Sequence, residues 1–329
     1  MASEHPIVGI VCGGPSPEAD VSRLSAARII KPLSKIFAAV QLELDQYLPE
    51  QLIKNSIDVV FPVAHGPMGE DGSLQGLLDI MGIPYVGSSV LGSACAMDKS
   101  VTKRILQHSG IPVAKDVLVC EWENIDDSVQ RCIDSLGTNL IIKPADLGSG
   151  IGVQFINNID ELRDGLESGL ECHPKLLVEE RIYGREITAG VLDTGQITAL
   201  PVIEITTPDG AWYDYVHRYT PGLSQHTIPA RIPDIQYKRV QDIALKAHNL
   251  LECRDLSRSD FIVPEVGQPI IAEVNNLPGM TPTSLFPDGA KAAGIEFEDL
   301  LKRLVLHAFK RGNRLQERLQ RWTLPTLAV

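Results

Sequence analysis

The sequence predicts an α/β protein whose first third is a doubly wound parallel sheet, followed by a central and a C-terminal domain. Three observations predict it. Continuous apolar runs alternate with stretches of helical spacing, as parallel strands joined by crossover helices require. Glycine clusters end the apolar runs abruptly. The chain has 329 residues, and at roughly 100–200 residues per domain that is two or three domains.

The opening run Ile7-Val8-Gly9-Ile10-Val11-Cys12 reads as a strand buried on both faces, and Gly13-Gly14 breaks it. A helix is predicted from about Ser22, with Leu24, Ala27 and Ile30 or Leu33 on one face. Strand-like runs follow at Ala39 to Leu44, Val59 to Ala64 and Gly82 to Gly87, so the first domain is placed at 1–98. A second unit, 99–183, carries helical Val101 to His108 and strands near Val117–Val119, Leu140–Pro144 and Leu176–Glu180. Its Lys143 to Gly152 connection is rich in glycine. A third unit, 184–329, again alternates strand and helix and ends with Phe297, Leu300, Leu301, Leu304, Val305 and Ala308 on one helical face. The tail beyond Phe309 is basic (Lys310, Arg311, Arg314, Arg318, Arg321), with Leu315, Leu319 and Trp322 at i, i+4, i+7. It reads as a surface helix packing on its own domain or on a second subunit.

Composition narrows the function classes. Hydrophobic residues make up 44% and charged residues 22% of the chain, which excludes disordered and fibrous proteins. A formal charge of −12 argues against a general binder of nucleic acid or of acidic membranes. No apolar run approaches the ~20 residues that span a bilayer, and the first run starts too early for a signal-peptide core. The cysteines (Cys12, Cys95, Cys120, Cys132, Cys172, Cys253) show no metal-ligand spacing and read as buried thiols of a reducing, cytoplasmic compartment.

Candidate chemistry sits in four segments. In Ala272-Glu273-Val274-Asn275-Asn276, Glu273 and Asn275 share one strand face, roughly 7 Å apart. Asp260, thirteen residues upstream, falls on the neighbouring antiparallel strand across a turn at Gly267. Three oxygen donors so placed suit hard cations that also bind phosphate; a solvated strand face is the other reading. The run Lys143-Pro144-Ala145-Asp146-Leu147-Gly148-Ser149-Gly150-Ile151-Gly152 offers backbone N–H groups and a hydroxyl to phosphate, or is simply a hairpin turn. It is neither a Walker A loop nor a dinucleotide turn. His65-Gly66-Pro67-Met68-Gly69-Glu70-Asp71-Gly72-Ser73 follows a strand and opens a helix, where open α/β sheets bind ligands; Asp71 or Ser73 as a helix cap is the alternative. Glu18, just before a helix, is either a ligand contact or a favourable charge at a helix N-terminus.

Taken together and in order, these segments resemble the D-alanine–D-alanine ligases of the ATP-grasp fold. The resemblance runs from Ile7 to about Ala308. Its motifs are GG-x-S-x-E-x-x-VS at the start, HGPMGEDGSLQG at 65–76, GIPYVGSSVLGSACAMDK at 82–99, the KP-x₃-GS loop, YDY-x₃-Y at 213–219 and EVN-x-LPGMT at 273–281. It implies an ATP-dependent ligase that joins two D-alanines through a D-alanyl phosphate for peptidoglycan precursors. It also implies two Mg²⁺ ions (with Mn²⁺ as substitute), ATP as co-substrate, a possible monovalent cation and a homodimer. By resemblance, Lys99, Lys143 and Arg218 hold nucleotide phosphates beneath the Gly148–Gly152 loop, which includes Gly150. Glu179 and Ile182 match the adenine-binding linker and Glu186 the ribose-binding carboxylate. Asp260, Glu273 and Asn275 match the metal ligands. Arg258 and the Gly279 N–H match the oxyanion-stabilising pair. Glu18, Ser149 and Tyr219 match a hydrogen-bonded triad whose Glu18 binds the first ammonium; His65 lies beside the substrates, and Ser284 and Leu285 receive the second D-alanine.

Several positions depart from the family pattern. Arg218 stands where lysine is common, and Ala19 where a basic residue or histidine follows the glutamate. Gly150 replaces a second loop serine, which predicts a looser loop with its backbone donors intact. His217 and the stretch 220–231 are less standard, and the basic tail is longer than usual. Retention of Tyr219 favours an amine acceptor over D-lactate. The alternatives are a ligase of the same fold with another acceptor (D-serine, D-lactate or another amino acid), or a catalytically inactive nucleotide-binding protein.

Overall fold

The computed structural model describes residues 5–321, with the side chains of residues 209 and 315–321 left aside. The apolar stripe expected at Leu315, Leu319 and Trp322, and the side chains of Arg318 and Arg321, lie outside the described residues.

The first sheet is parallel, with strand Ile7–Cys12 between Ala38–Glu43 and Val59–Pro62. A bridge from Val60 to Tyr85 extends it, so the expected fourth strand is a single parallel pairing. Helix Ala19–Ser34 starts three residues earlier than its spacing suggested, and it buries a different face: Val21, Ser22, Ser25, Ala26, Ile29 and Leu33 point inward, while Leu24 is 58% exposed. The reason is polar. Ser22 Oγ accepts the Gly13 N–H at 2.8 Å and Ser25 Oγ accepts the Met280 N–H at 3.4 Å, so two serines on the buried face satisfy loop amides that apolar residues would leave unpaired.

The central sheet is antiparallel, in the order Asp116–Cys120, Lys175–Glu180, Leu140–Pro144, Gln154–Ile156. Helices Ile125–Leu136 and Ile159–Cys172 close one core against it. The third sheet is also antiparallel and six-stranded: Gln225–Thr227, Ile203–Thr206, Arg185–Asp193, Asp255–Val263 and Ile270–Asn275 in order, with Ile197–Ala199 beside Arg185–Asp193. Helix Asp234–Leu250 buries Val240, Ile243, Ala244 and Ala247 against it.

Helix Phe297–Arg321 packs between the parallel sheet and the third sheet, in a core that also holds Leu192, Leu256, Phe286 and Ala290. Its Leu300, Leu301, Leu304, Val305 and Ala308 share one core with Val8, Ile10, Val59 and Phe61 of the parallel sheet. Each fully buried leucine contributes roughly 1.5–3 kcal/mol relative to exposure. Arg311, expected on a surface, instead reaches the buried Asp255 and the Tyr85 carbonyl. Gly312 lies flat on Pro84, where a Cβ would meet the ring at 2.5 Å. Of the cysteines, Cys172 is exposed and Cys95 half-buried, which corrects the expectation of six buried thiols. Among the described residues no helix is long and apolar enough to cross a membrane.

Candidate active site

The third sheet supplies the floor. In its antiparallel pair Arg258 stands opposite Asn275 and Asp260 opposite Glu273, with a bulge directly after Asp260. Cross-strand partners share a face, so the three oxygen donors and Arg258 project together. Arg258 grips Asp260 through a fork, Nε to Oδ1 at 2.8 Å and Nη2 to Oδ2 at 2.7 Å, and Thr188 Oγ1 adds a third donor at 2.5 Å. Burial alone would raise the Asp260 carboxyl, but Arg258 and its hydrogen bonds hold it down at about 2. Arg258 is correspondingly a permanent cation.

Helix Lys99–His108 brings the second charge set. Asp98 caps it, accepting the Ser100 N–H at 2.8 Å and the Val101 N–H at 3.1 Å, which fixes Lys99 at the first turn. Lys99 Nζ bonds the Leu147 carbonyl of the glycine-rich loop and lies 3.8 Å from Glu273. One turn on, Lys103 joins Lys143 around the buried Glu179, at 2.6 and 2.8 Å. Burial would raise the Glu179 carboxyl, yet the two ammonium groups keep it below its ordinary value. Lys103 is a residue the sequence reading passed over; its place four residues after Lys99 was the available signal.

The glycine-rich loop joins strands Leu140–Pro144 and Gln154–Ile156. Ser149, in left-handed backbone at φ 53°, turns its hydroxyl to Glu18 and to Tyr219 Oη, the latter at 2.7 Å. Glu18 heads helix Ala19–Ser34 but makes no side-chain cap there; its carboxylate faces the loop instead. Burial pushes Glu18 upward, and burial with the Glu18 charge pushes the Tyr219 phenol up to about 12. At the other end, Ser284 Oγ lies 2.9 Å from Thr281 Oγ1 and heads helix Leu285–Ala292.

These residues line two adjoining cavities. A cleft of about 550 Å³ between the central and third sheets is lined by Lys99, Lys143, Gly150, Glu179, Ile182, Glu186, Arg218, Asp260 and Glu273, together with Phe155 and Trp212. A smaller pocket opens off it, lined by Glu18, His65, Gly148, Ser149, Tyr219, Arg258, Asn275, Gly279, Ser284 and Leu285, and it shares Lys99, Arg218 and Glu273 with the cleft. The residues that the resemblance gave a role thus line these two adjoining cavities, whereas Asp71 and Ser73 line neither. Gly72, not Asp71 or Ser73, is the N-cap of helix Ser73–Met81; Asp71 stands one residue before it and braces the turn, its Oδ1 accepting the Ser73 N–H at 2.9 Å.

Glu70 was quoted within a motif but not singled out. Its Oε1 accepts the Gly66 N–H at 2.7 Å while burial and the Glu18 charge lift its carboxyl to about 8. Burial, with Arg258 nearby, pushes the His65 imidazole down to about 4, so it is neutral at pH 7. Glu18 Oε2, Glu70 Oε2 and His65 Nε2 are buried in this pocket with no hydrogen-bond partner. Three unsatisfied polar atoms around one cavity mark a place built for a polar ligand. The donor set also suits a hard cation. Asp260 and Glu273 offer carboxylate oxygens and Asn275 a carboxamide oxygen that also accepts the Leu277 N–H at 3.1 Å. Arg258 and Thr188 occupy Asp260 Oδ1 while Oδ2 takes Arg258 alone, and among the described residues Lys99 is the cation within 4 Å of Glu273. Among the described residues no group of three His, Cys, Asp or Glu side chains is placed to hold a metal ion, so the candidate set here is two carboxylates and one carboxamide. At Gly150 the Trp212 ring occupies the space a side chain would take.

The comparisons agree with this geometry. The family description "D-ala D-ala ligase C-terminus" matches residues 105–306 and "D-ala D-ala ligase N-terminus" matches residues 34–88. The chain is 43% identical over 303 residues to the D-alanine–D-alanine ligase of Pelotomaculum thermopropionicum, covering 91% of this chain and 95% of that one. It is 41% identical over 304 residues to the enzyme of the same name from Desulforamulus reducens, covering 91% and 97%. Among solved structures, the D-alanine–D-alanine ligase of Coxiella burnetii superposes with a TM-score of 0.82 at 28% identity, covering 97% of this chain and 98% of that one. The Bacillus anthracis enzyme complexed with ATP gives 0.80 at 30% identity, covering 94% and 99%. The fold is that of its neighbours, the ATP-grasp fold, and the chain belongs to the D-alanine–D-alanine ligase family.

Proposed function

We propose that the chain joins two D-alanines at the expense of ATP. The observation that carries this reading is the pocket with three orphaned polar atoms opening directly into a nucleotide-sized cleft. The cleft would take ATP, with adenine at the Glu179–Ile182 linker, ribose at Glu186, and phosphates among Lys99, Lys143 and Arg218. Asp260, Glu273 and Asn275 would hold Mg²⁺ (two ions on the family pattern, replaceable by Mn²⁺), whose chemistry is to neutralise charge on the phosphate oxygens.

A carboxylate is a poor acyl donor, and the residues present address that difficulty. Glu18 binds the ammonium of the first D-alanine, leaving its carboxylate toward the γ-phosphate. An O–P bond forms, ADP leaves, and the product is a D-alanyl phosphate. The second D-alanine, its own carboxylate held at Ser284 and its methyl near Leu285, attacks the acyl carbon with its amine. Arg258 and the Gly279 N–H stabilise the tetrahedral oxyanion. The C–O bond to phosphate then breaks, and the phosphate departs with an oxygen that came from the first D-alanine. Neutral His65 offers a hydrogen bond without adding a charge. Tyr219, kept as a phenol, donates within the Glu18–Ser149 triad, fixes residues 207–220 as a segment covering the pocket, and favours an amine acceptor. Use of ATP makes the cytoplasm the expected location, and the family pattern makes a homodimer the expected assembly. The domain division 1–98, 99–183 and 184–329 is part of the same reading, with helix Phe297–Arg321 packed back on the first unit.

The test is ADP release by the purified chain with ATP, Mg²⁺ and D-alanine, with D-serine and D-lactate as competing acceptors and products identified by mass spectrometry. D-Ala-D-Ala as the dominant product is expected. Absence of D-alanine-dependent ADP release would refute the reading, and a different dominant product would move it to another acceptor.

A further inference from the structure

One tryptophan ties the two mobile-looking segments of the site together. Trp212 belongs to the covering segment that also carries Arg218 and Tyr219. The far edge of its indole lies over Gly150: a Cβ built there would meet Cη2 at 2.7 Å, Cζ2 at 3.3 Å and Cζ3 at 3.6 Å. A side chain there would have to displace the indole. The same ring makes a T-shaped pair with Phe155, centroids 5.4 Å apart at 80°, and Arg181 stacks over Phe155 at 4.5 Å. Ser149 and Gly150 are consecutive left-handed residues, at φ 53° and 73°. For Ser149 that conformation is costly and persists where its surroundings hold it, whereas glycine adopts it freely.

We propose that Trp212 is a positioning residue: by seating its ring in the notch at Gly150 it fixes the glycine-rich loop so that the Ser149 hydroxyl reaches Glu18 and Tyr219. The covering segment then clamps the loop at two successive points, Tyr219 on Ser149 and Trp212 on Gly150. Glycine at position 150 is a requirement of the clamp, not slack in the loop. The inference rests on the proposed function for its activity readout, and a spectroscopic readout stands apart from it.

The experiment is a double-mutant cycle of Gly150→Ala and Trp212→Phe on the full chain. Phenylalanine lacks the indole edge that fills the notch. Gly150→Ala is expected to lower D-alanine-dependent turnover by ~30-fold through overpacking against the ring. In the Trp212→Phe background the same change should cost less than ~3-fold, because the obstacle is gone. Equal losses in both backgrounds would overturn the proposal, since left-handed strain at Gly150 alone predicts that result. Trp212→Phe by itself should raise KM for D-alanine by ~10-fold, as a loosened Ser149 no longer orients the triad, with an unchanged melting temperature; an unchanged KM counts against the clamp even if Gly150→Ala does not fold. With Trp122 and Trp322 replaced by phenylalanine, Trp212 is the sole emitter among the three tryptophans. Its emission should shift to the red on Gly150→Ala. A shift in a protein that releases no ADP would sink the proposed function and keep the clamp, whereas full activity with no shift would do the reverse.

Discussion

Two of the buried ionic clusters in this molecule are satisfied to different degrees. Around Asp255, wholly buried between the third sheet and the terminal helix, every acceptor is matched. Oδ1 receives His307 Nδ1 at 2.9 Å and Arg311 Nη1, and Oδ2 receives Arg311 Nη2 at 2.8 Å and the Gly87 N–H at 2.7 Å. Burial would raise this carboxyl, yet His307 and Arg311 hold it below its ordinary value. Around Glu18, Glu70 and His65 the same protein leaves one buried atom of each without a partner. An unmet buried polar group costs about 1–3 kcal/mol, so three at one spot persist only where a ligand or water completes them. The matched cluster ties Gly87, the third sheet and the terminal helix together; the unmatched one lines the pocket proposed for substrate.

That contrast predicts opposite phenotypes. Glu273→Ala, on the site side, should lower ADP release by ~10³-fold, as loss of an electrostatic element in a preorganised site does, with little change in melting temperature. Turnover near wild type would remove Glu273 from the site. Asp255→Asn, on the matched side, should destabilise the fold by about 3–5 kcal/mol, because Arg311 is left with an uncompensated buried charge. Activity per folded molecule should survive, as denaturant titration alongside turnover would reveal. Ser284→Ala should raise KM for the second D-alanine by ~10-fold, the worth of about one hydrogen bond to a charged group, with KM for ATP unchanged. Equal rises in both constants would take Ser284 out of the acceptor end.

The smallest effect sharpens the comparison by pH. Burial, with Glu18 beside it, raises Glu70 to about 8 from an unfolded value of 4.5. The folded protein therefore keeps a proton that the unfolded chain releases above pH 4.5. The stability linked to that proton is fully present below pH 4.5 and is lost as pH rises through 8. Glu70→Gln removes the dependence: melting temperature should rise by a few degrees at pH 8 and match wild type at pH 4.5. A parallel pair of pH–stability curves would show that Glu70 is ionised in the native pocket.

How much of this was legible in the sequence depended on distance along the chain. Asp260, Glu273 and Asn275 were readable because strand periodicity and a turn at Gly267 place them together within sixteen residues. The glycine-rich loop and the His65 segment were readable because their chemistry is local. Asp255 and Arg311 were not: they are 56 positions apart, and Arg311 sat in what read as a solvated basic tail. The inward face of helix Ala19–Ser34 was misjudged because hydropathy ranks Leu24 above Ser25, whereas the buried amides of Gly13 and Met280 needed serine hydroxyls. Gly150 was read from its own missing side chain, and its partner Trp212 lies 62 residues on, beyond any local pattern.

The most direct measurement follows the carboxylate oxygen. D-alanine labelled with ¹⁸O in both carboxylate oxygens is supplied with unlabelled ATP, and the released phosphate is weighed by mass spectrometry. Attack of the bound carboxylate on the γ-phosphate, with Glu18 holding the ammonium, predicts one ¹⁸O in each phosphate and one fewer in the new peptide carbonyl. Phosphate free of label would contradict the account, because ATP would then be consumed without an acyl phosphate forming in the pocket that Glu18, His65 and Glu70 surround.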